Sequence, residues 1–178
     1  MRTARYLVAV IALCLPVQAV AQGTVDRLRA DLLASTSATQ VLTSYCTSLH
    51  LAAPPVIRAL RDDLALPAPP EVRALLGAGP NDAVRHRRVR LACGAHVLSN
   101  ADNWYLPARL TPEMNRLLEE TQTPFGTAVR GLDFHRRTLE AAAPDGDAIL
   151  RIKAVLLTKD EKPFSVVIEN YSPELIAR

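Results

Sequence analysis

The sequence predicts an α+β domain in which helices come first and a mainly antiparallel sheet follows. Residues 24–49 repeat apolar side chains at helical spacing, whereas from residue 84 apolar positions alternate as they do along strands. Near the C-terminus, two apolar segments flank the turn sequence DEKP, which is the pattern of a β-hairpin. We therefore expect an antiparallel sheet with helices packed on it.

The N-terminal part of the domain, residues 22–83, is expected to be mainly helical. The first helix places Val25, Leu28 and Leu32 on one face, with Thr24 as its expected N-cap. The last helix is expected to end at a glycine, as helices often do. The predicted elements are helices over 24–35, 37–49 and 71–76, the last closed by Gly77, and a short strand over 56–60.

Residues 84–178 are expected to form the sheet core. In the first strand, His86, Arg88 and Arg90 share one side, and residues 87, 89 and 91 share the other. Gly94-Ala95 allows a tight turn, and the SNADN segment has turn composition. The predicted elements are strands over 84–93, 96–99 and 103–110, a helix over 112–121 capped by Thr111, and hairpin strands over 148–159 and 163–171.

The first 21 residues have the pattern of a secretory signal peptide. Arg2 and Arg5 precede an apolar run, Leu7 to Leu15, that is too short to span a bilayer. Ala19 and Ala21 occupy the small-residue positions before a cleavage site. We expect cleavage after Ala21 and a periplasmic or secreted protein with no stable membrane insertion. The alternative is an uncleaved membrane anchor.

The expected mature domain, residues 22–178, is close to neutral. The whole chain has 21 basic and 18 acidic residues; losing Arg2 and Arg5 leaves 19 basic residues and a net charge of +1. Local arginine clusters at 85–90 and 136–137 then favour a pocket for a small anion over a nucleic-acid surface. The four histidines lack metal-ligand spacing, and no P-loop or Rossmann glycine pattern occurs, so we expect no metal and no cofactor.

Two cysteines, Cys46 and Cys93, remain after the expected cleavage. An oxidising compartment makes them candidates for one disulfide. Two separate buried thiols are the alternative, because the sequence does not fix the distance between their Cα atoms.

Arg88 and Arg90 are candidate ligand-binding residues because they lie two positions apart on a predicted strand and so point the same way. A ligand carboxylate would satisfy both guanidinium groups through bidentate hydrogen bonds. An exposed basic strand face is the alternative.

Glu169 is a second candidate because it interrupts the apolar strand SVVIENY. Its parity places it with Ser165, Val167 and Tyr171, and an isolated carboxylate there is costly to bury. It is either a functional acid or acceptor, or an edge-strand residue paired with a surface cation. Residues 123–126, TPFG, either present backbone N–H groups to a ligand or only terminate a helix.

The order of these features resembles the chorismate lyase (chorismate–pyruvate lyase) fold family. No single motif is specific, and the likeness covers roughly residues 84–178. Its parts are Arg88 five residues before Cys93, Trp104 on a strand followed by Arg109, a helix, Thr123–Gly126, and a Lys162-Pro163 turn before Glu169.

The resemblance implies an antiparallel sheet that encloses a small ligand cavity. It implies that Arg88, with Arg90 beside it, holds a ligand carboxylate, that Arg109 is a second cation, and that Phe125 offers its backbone N–H. Glu169 would lie at the opposite end of the ligand as proton donor or acceptor, which makes Glu169 and Arg88 the catalytic candidates.

Two functions follow from this resemblance. The first is a domain that binds a small aromatic or cyclic carboxylate and, if catalytic, eliminates pyruvate from chorismate to give 4-hydroxybenzoate. The second is a non-catalytic periplasmic small-molecule-binding protein on the same fold, which the export signal favours because the enzyme is cytosolic. A third, an envelope interaction protein with a vestigial pocket, would lack a cavity shared by Arg88 and Glu169.

Overall fold

Six antiparallel strands form one sheet in the order β1-β2-β3-β6-β5-β4. The computed structural model describes residues 17–144 and 146–176. The helices are α1 (Val17–Ala34), α2 (Ala38–Ser48), α3 (Pro70–Leu76), α4 (Pro112–Glu120) and α5 (Phe125–Ala128). The strands are β1 (Ile57–Asp62), β2 (Arg85–Cys93), β3 (His96–Tyr105), β4 (His135–Ala142), β5 (Leu150–Leu157) and β6 (Pro163–Tyr171). This architecture confirms the predicted α+β class.

One face of the sheet, called here the inner face, carries α1, α2, α4 and α5. Leu28 and Leu32 of α1 and Leu42 of α2 are buried against it, as the helical spacing predicts. On the sheet side, inward residues alternate along each strand, so that Val89 of β2 and Ala101 of β3 belong to this core.

The other face, called here the outer face, is covered in part by α3. Val72 and Leu76 of α3 pack against Trp104 of β3 and Val166 of β6. The helix begins at Pro70 and ends at Gly77, which has a left-handed φ of 58°. Glycine adopts that conformation without a Cβ clash, so this end of the helix follows the prediction.

A disulfide joins Cys46 of α2 to Cys93 at the end of β2, with the two Cα atoms 6.2 Å apart. Both residues are fully buried in the inner core. The covalent link therefore fixes α2 to the sheet, as the oxidising-compartment argument anticipates.

Three expectations about local structure are wrong. Thr24 does not cap α1, because the preceding alanines and glutamines extend the helix back to Val17. The SNADN segment is not a turn but part of β3, where residues 99–103 pair with both β2 and β6, and this central position overrides their turn propensity. The strand predicted through residue 110 ends at Tyr105, and Pro107 opens a 3₁₀ turn instead.

The described residues bear only in part on the N-terminal predictions. The expected signal peptide falls mainly on residues 1–16, which lie outside the described residues. No helix in the described ranges combines the length and apolar character needed to cross a bilayer.

Candidate functional site: a cavity on the inner face of the sheet

A cavity of about 40 Å³ lies between the inner face and the segment that joins α1 to α2. Thr36 to Thr39 form one wall, where Ser37 caps α2 by accepting a hydrogen bond from the Gln40 backbone N–H. Phe125 and Phe134 form a second, aromatic wall. The space is enough for a few water molecules. The sheet supplies the floor through Val89, Leu91, Ala101, Asn103, Leu156, Val167, Arg136 and Glu169.

The charged part of the floor is an ion pair between Arg136 of β4 and Glu169 of β6. Arg136 Nη2 donates to Glu169 Oε2 at 2.5 Å, and the two side chains are only 6% and 7% exposed. Tyr171, two residues further along β6, donates its hydroxyl to the same oxygen at 2.9 Å. Glu169 is therefore held by two donors on one of its two oxygens.

Burial and charge act on the proton affinities of these groups. Burial opposes the charged guanidinium of Arg136, but Glu169 and Tyr171 outweigh it and hold the pKa of Arg136 above its usual value. Burial, and then the Glu169 carboxylate, raise the pKa of Tyr171 well above 10. Arg136 stays positive and Tyr171 stays a hydrogen-bond donor throughout the neutral range.

One donor of this cluster has no acceptor. Within the described residues, the buried Nε of Arg136 makes no hydrogen bond. Buried donors are nearly always satisfied by protein, water or ligand, since leaving one unpaired costs about 1–3 kcal/mol. Arg136 thus brings a positive charge to the lining of the cavity, and its buried Nε lacks an acceptor among the described residues.

The structure does not bring Arg88 to Glu169. The strand register aligns Glu169 with Ala101 and Val89, whereas Arg88 aligns with Asp102 of β3. Because side chains alternate across a sheet, Arg88 is on the outer face and Glu169 on the inner face. The expectation that the two residues line one cavity is therefore wrong, because they lie on opposite faces of the sheet.

Arg88 has a partner of its own. It makes a bidentate ion pair with Asp102, with Nε and Nη2 at 2.7 and 3.0 Å from the two carboxylate oxygens. His86 Nε2 lies 2.8 Å from the same carboxylate. The hydrogen bond to Asp102 raises the pKa of Arg88 and outweighs the opposing effect of burial. Arg90 is exposed two residues further along the outer face.

Arg109 is also remote from the cavity. It ends the 3₁₀ turn after β3, and its Nη1 donates to the backbone carbonyls of Leu76 at 2.9 Å and of Pro163. The side chain therefore ties the end of α3 to the start of β6. Arg109 therefore has a structural role, because its guanidinium is bound to backbone carbonyls of this chain.

Phe125 and Glu169, by contrast, do line the same cavity. Phe125 begins the short helix α5, so TPFG starts a helix as well as following one. Its ring is buried and lies 5.5 Å from that of Tyr105 and 6.5 Å from that of Phe164.

Arg136 is the site residue that sequence reasoning missed. Its basic cluster with Arg137 is visible in the sequence, but β4 was not among the predicted strands. Side chains alternate along a strand, so two adjacent arginines point to opposite faces of the sheet. Recognising β4 would therefore have placed one of them in the core, where a cation needs a partner.

No protein-family model matches the chain. The effector domain of PhnF from Mycobacterium smegmatis is similar over 77% of this chain and 88% of that chain, with a TM-score of 0.54 and 13% identity. A structure of PhnF itself gives a TM-score of 0.55 at 12% identity, over 79% of this chain and 65% of that chain. These likenesses show the fold, which is the chorismate lyase-like fold of the C-terminal domains of GntR-family regulators.

A curated relative is similar in sequence as well. The uncharacterized protein y4mC of Sinorhizobium fredii is 38% identical over 182 residues, which cover 88% of this chain and 76% of that protein. With this identity over most of both chains, the protein belongs to the same family as y4mC.

Proposed function

We propose that this protein is a small-molecule-binding domain that takes a small aromatic or cyclic carboxylate into the cavity at Arg136 and Glu169. The observation that carries the proposal is the buried Arg136 guanidinium, which lines the cavity and has an N–H without an acceptor among the described residues. A ligand carboxylate supplies that acceptor through a charge-assisted hydrogen bond.

The other walls suit the rest of such a ligand. Phe125, Phe134 and Val167 offer apolar surface for a ring. Arg136 and Tyr171 both donate to Oε2 of Glu169, so Oε1 is the oxygen left to accept a hydrogen bond from a ligand hydroxyl. A ring with a carboxylate and a hydroxyl group matches this order of cation, apolar wall and acceptor.

A ring-sized ligand requires the cavity to widen beyond its present volume of about 40 Å³. We expect the wall formed by Thr36 to Thr39 to move, because its first two residues join α1 to α2, its last two begin α2, and none of them takes part in the sheet. The disulfide holds the C-terminal end of α2 to β2, so the start of α2 is the part expected to shift when the cavity widens. Binding by displacement of this segment leaves the sheet intact.

The arrangement favours binding over turnover of chorismate. Elimination of pyruvate needs a group that places a proton on the leaving oxygen or removes one from the ring. Glu169 accepts hydrogen bonds from both Arg136 and Tyr171, which suits a carboxylate acceptor better than a proton donor. The likeness to a domain named an effector domain supports the same preference.

We also propose that the domain works outside the cytoplasm after cleavage behind Ala21. The apolar run and the A-V-A sequence before Gln22 support this proposal, together with the disulfide, which persists in oxidising compartments.

The binding proposal is tested by calorimetric titration of the purified mature domain. We expect 4-hydroxybenzoate to bind, cyclohexanecarboxylate to bind more weakly, and 4-hydroxybenzyl alcohol, which lacks the carboxylate, to give no heat. Chorismate incubated with the protein is expected to yield no 4-hydroxybenzoate and no pyruvate. Absence of heat from both carboxylates would contradict binding of this ligand class, and formation of both products would establish the lyase alternative.

A further inference from the structure

A second group of arginines surrounds a different cavity, between β2 and the C-terminal end of α4. The cavity has a volume of about 410 Å³ and is lined by Arg61 of β1 and by Arg85, Arg87, Tyr105 and Glu119 among others. It shares no lining residue with the cavity at Arg136 and Glu169. Whatever it binds is therefore independent of the function proposed above.

Arg87 is the buried member of this group, with only 3% of the residue exposed. Its Nε donates to the Leu118 carbonyl and its Nη2 to the Thr123 carbonyl, both at 3.0 Å. Its Nη1 is buried and makes no hydrogen bond within the described residues. None of the ion pairs formed by the described residues includes Arg87, so its charge has no carboxylate partner there.

The neighbouring charges do not neutralise Arg87. Arg85 pairs with the Glu119 carboxylate, and Arg61 donates to the Glu119 backbone carbonyl. Among the described residues, the three guanidinium groups thus have one carboxylate partner, Glu119, which pairs with Arg85. The carbonyls at the end of α4 add partial negative charge worth about half an elementary charge, which leaves the group strongly positive.

The proton affinity of Arg87 reflects its burial first and the neighbouring positive charge second. Burial, and then the charge of Arg61, lower the pKa of Arg87 to about 10. Arg87 is still charged at neutral pH, and buried charges are normally paired. Burial also raises the pKa of Tyr105, against the opposing effect of the three arginines, so its hydroxyl remains a donor at the same cavity.

We propose that this arginine cavity binds a small dianionic oxyanion, phosphate or sulfate. Three guanidinium groups and one carboxylate leave two positive charges, which such an anion balances. Its tetrahedral oxygens can accept from the N–H groups of Arg61 and Arg85 that Glu119 does not use, and the buried positive charge of Arg87 beneath them adds to the attraction. A single carboxylate has one charge and two oxygens, and would leave part of this donor set unsatisfied.

The test is calorimetric titration of the whole mature protein with inorganic phosphate and, separately, with sulfate, each against chloride at equal ionic strength. We expect one site per chain. Arg61→Gln alters an exposed arginine and so preserves the fold, and it should weaken binding about tenfold or more, the loss of one charge-assisted contact. Arg137→Gln is the matched control, because it alters an exposed arginine on β4 that does not line this cavity. This variant should bind the anions like the wild type.

Comparing phosphate with sulfate distinguishes two ways in which the site could recognise an anion. Tighter binding of phosphate points to recognition of a protonated oxygen, which only phosphate carries at neutral pH, and equal binding points to charge and shape alone. No binding of either anion by the wild type at concentrations up to about 10 mM would overturn the proposal. Unchanged binding by Arg61→Gln, or equal weakening by Arg137→Gln, would overturn it as well.

Discussion

The guanidinium of Arg136 on β4 reaches over β5 to the carboxylate of Glu169 on β6, and both side chains are buried on the inner face. Breaking such a pair leaves an uncompensated charge in the core, whereas removing both partners does not. The pair therefore links the stability of the sheet to the floor of the candidate site.

Single substitutions at this pair should destabilise the protein strongly. We expect Arg136→Met and Glu169→Leu each to lower the free energy of unfolding by about 3–5 kcal/mol, and the double variant to be less destabilised than the two losses combined. Urea unfolding of the four proteins measures this coupling. Arg116→Met, which breaks exposed ion pairs with Glu113 and Glu120, is the control and should change stability little. Simple additivity of the two losses would contradict a direct interaction.

We expect the protein to lose stability at alkaline pH because of the raised pKa of Tyr171. Its pKa is raised in the folded state, so the folded protein holds this proton more tightly than the unfolded chain does. The resulting stabilisation is fully present below pH 10 and is lost as the pH rises through the raised pKa. We expect Tyr171→Phe to lose less stability than the wild type between about pH 9 and pH 11, with slopes that differ by up to about 1.4 kcal/mol per pH unit.

Urea unfolding at fixed pH values across this range measures the two slopes. Tyr171→Phe also removes the hydrogen bond to Glu169, so only the pH dependence, and not the absolute stability, bears on this prediction. Parallel profiles for the two proteins would contradict it.

The Cys46–Cys93 disulfide should contribute substantially to stability. The two cysteines are 47 residues apart in sequence, and closing a loop of that length restricts the unfolded chain by about 4 kcal/mol. We expect the Cys46→Ala/Cys93→Ala variant to lose roughly that amount in urea unfolding. Mass analysis without reductant should find no free thiol at these positions in the wild type, and two free thiols there would contradict the bridge.

Expression with the intact N-terminus tests the export prediction. The envelope fraction should contain a protein whose intact mass corresponds to a start at Gln22. Ala21→Arg places a large charge at the cleavage position and should abolish this species. A wild-type product that retains Met1 would show the uncleaved anchor instead.

Much of the fold could be predicted because the residues that define it follow local periodicity. Leu28 and Leu32 mark the buried stripe of α1, and the alternation from residue 84 correctly separates Arg88 from Val89 across the sheet. SNADN cannot be recognised from the sequence as part of β3, because pairing on both sides holds its turn-forming residues and only the tertiary structure supplies that pairing.

The site was predicted only in part for a related reason. Glu169 stands out in sequence as an acid in an apolar strand, but its partner lies 33 residues away on a strand of mixed polarity. The arginines that were singled out, Arg88 and Arg109, satisfy their charge with Asp102 and with backbone carbonyls. Sequence spacing shows which residues share a strand face but not which face closes over a cavity.

Binding of a ligand carboxylate by Arg136 on the inner face is best tested by titrating 4-hydroxybenzoate into two matched variants. Arg136→Lys and Arg88→Lys each keep the positive charge and remove the planar fork. Circular dichroism of both variants confirms that they are folded. We expect 4-hydroxybenzoate to bind about tenfold or more weakly to Arg136→Lys and with unchanged affinity to Arg88→Lys. Unchanged binding in Arg136→Lys would contradict a carboxylate site at Arg136, and weakened binding in Arg88→Lys would place the ligand on the outer face.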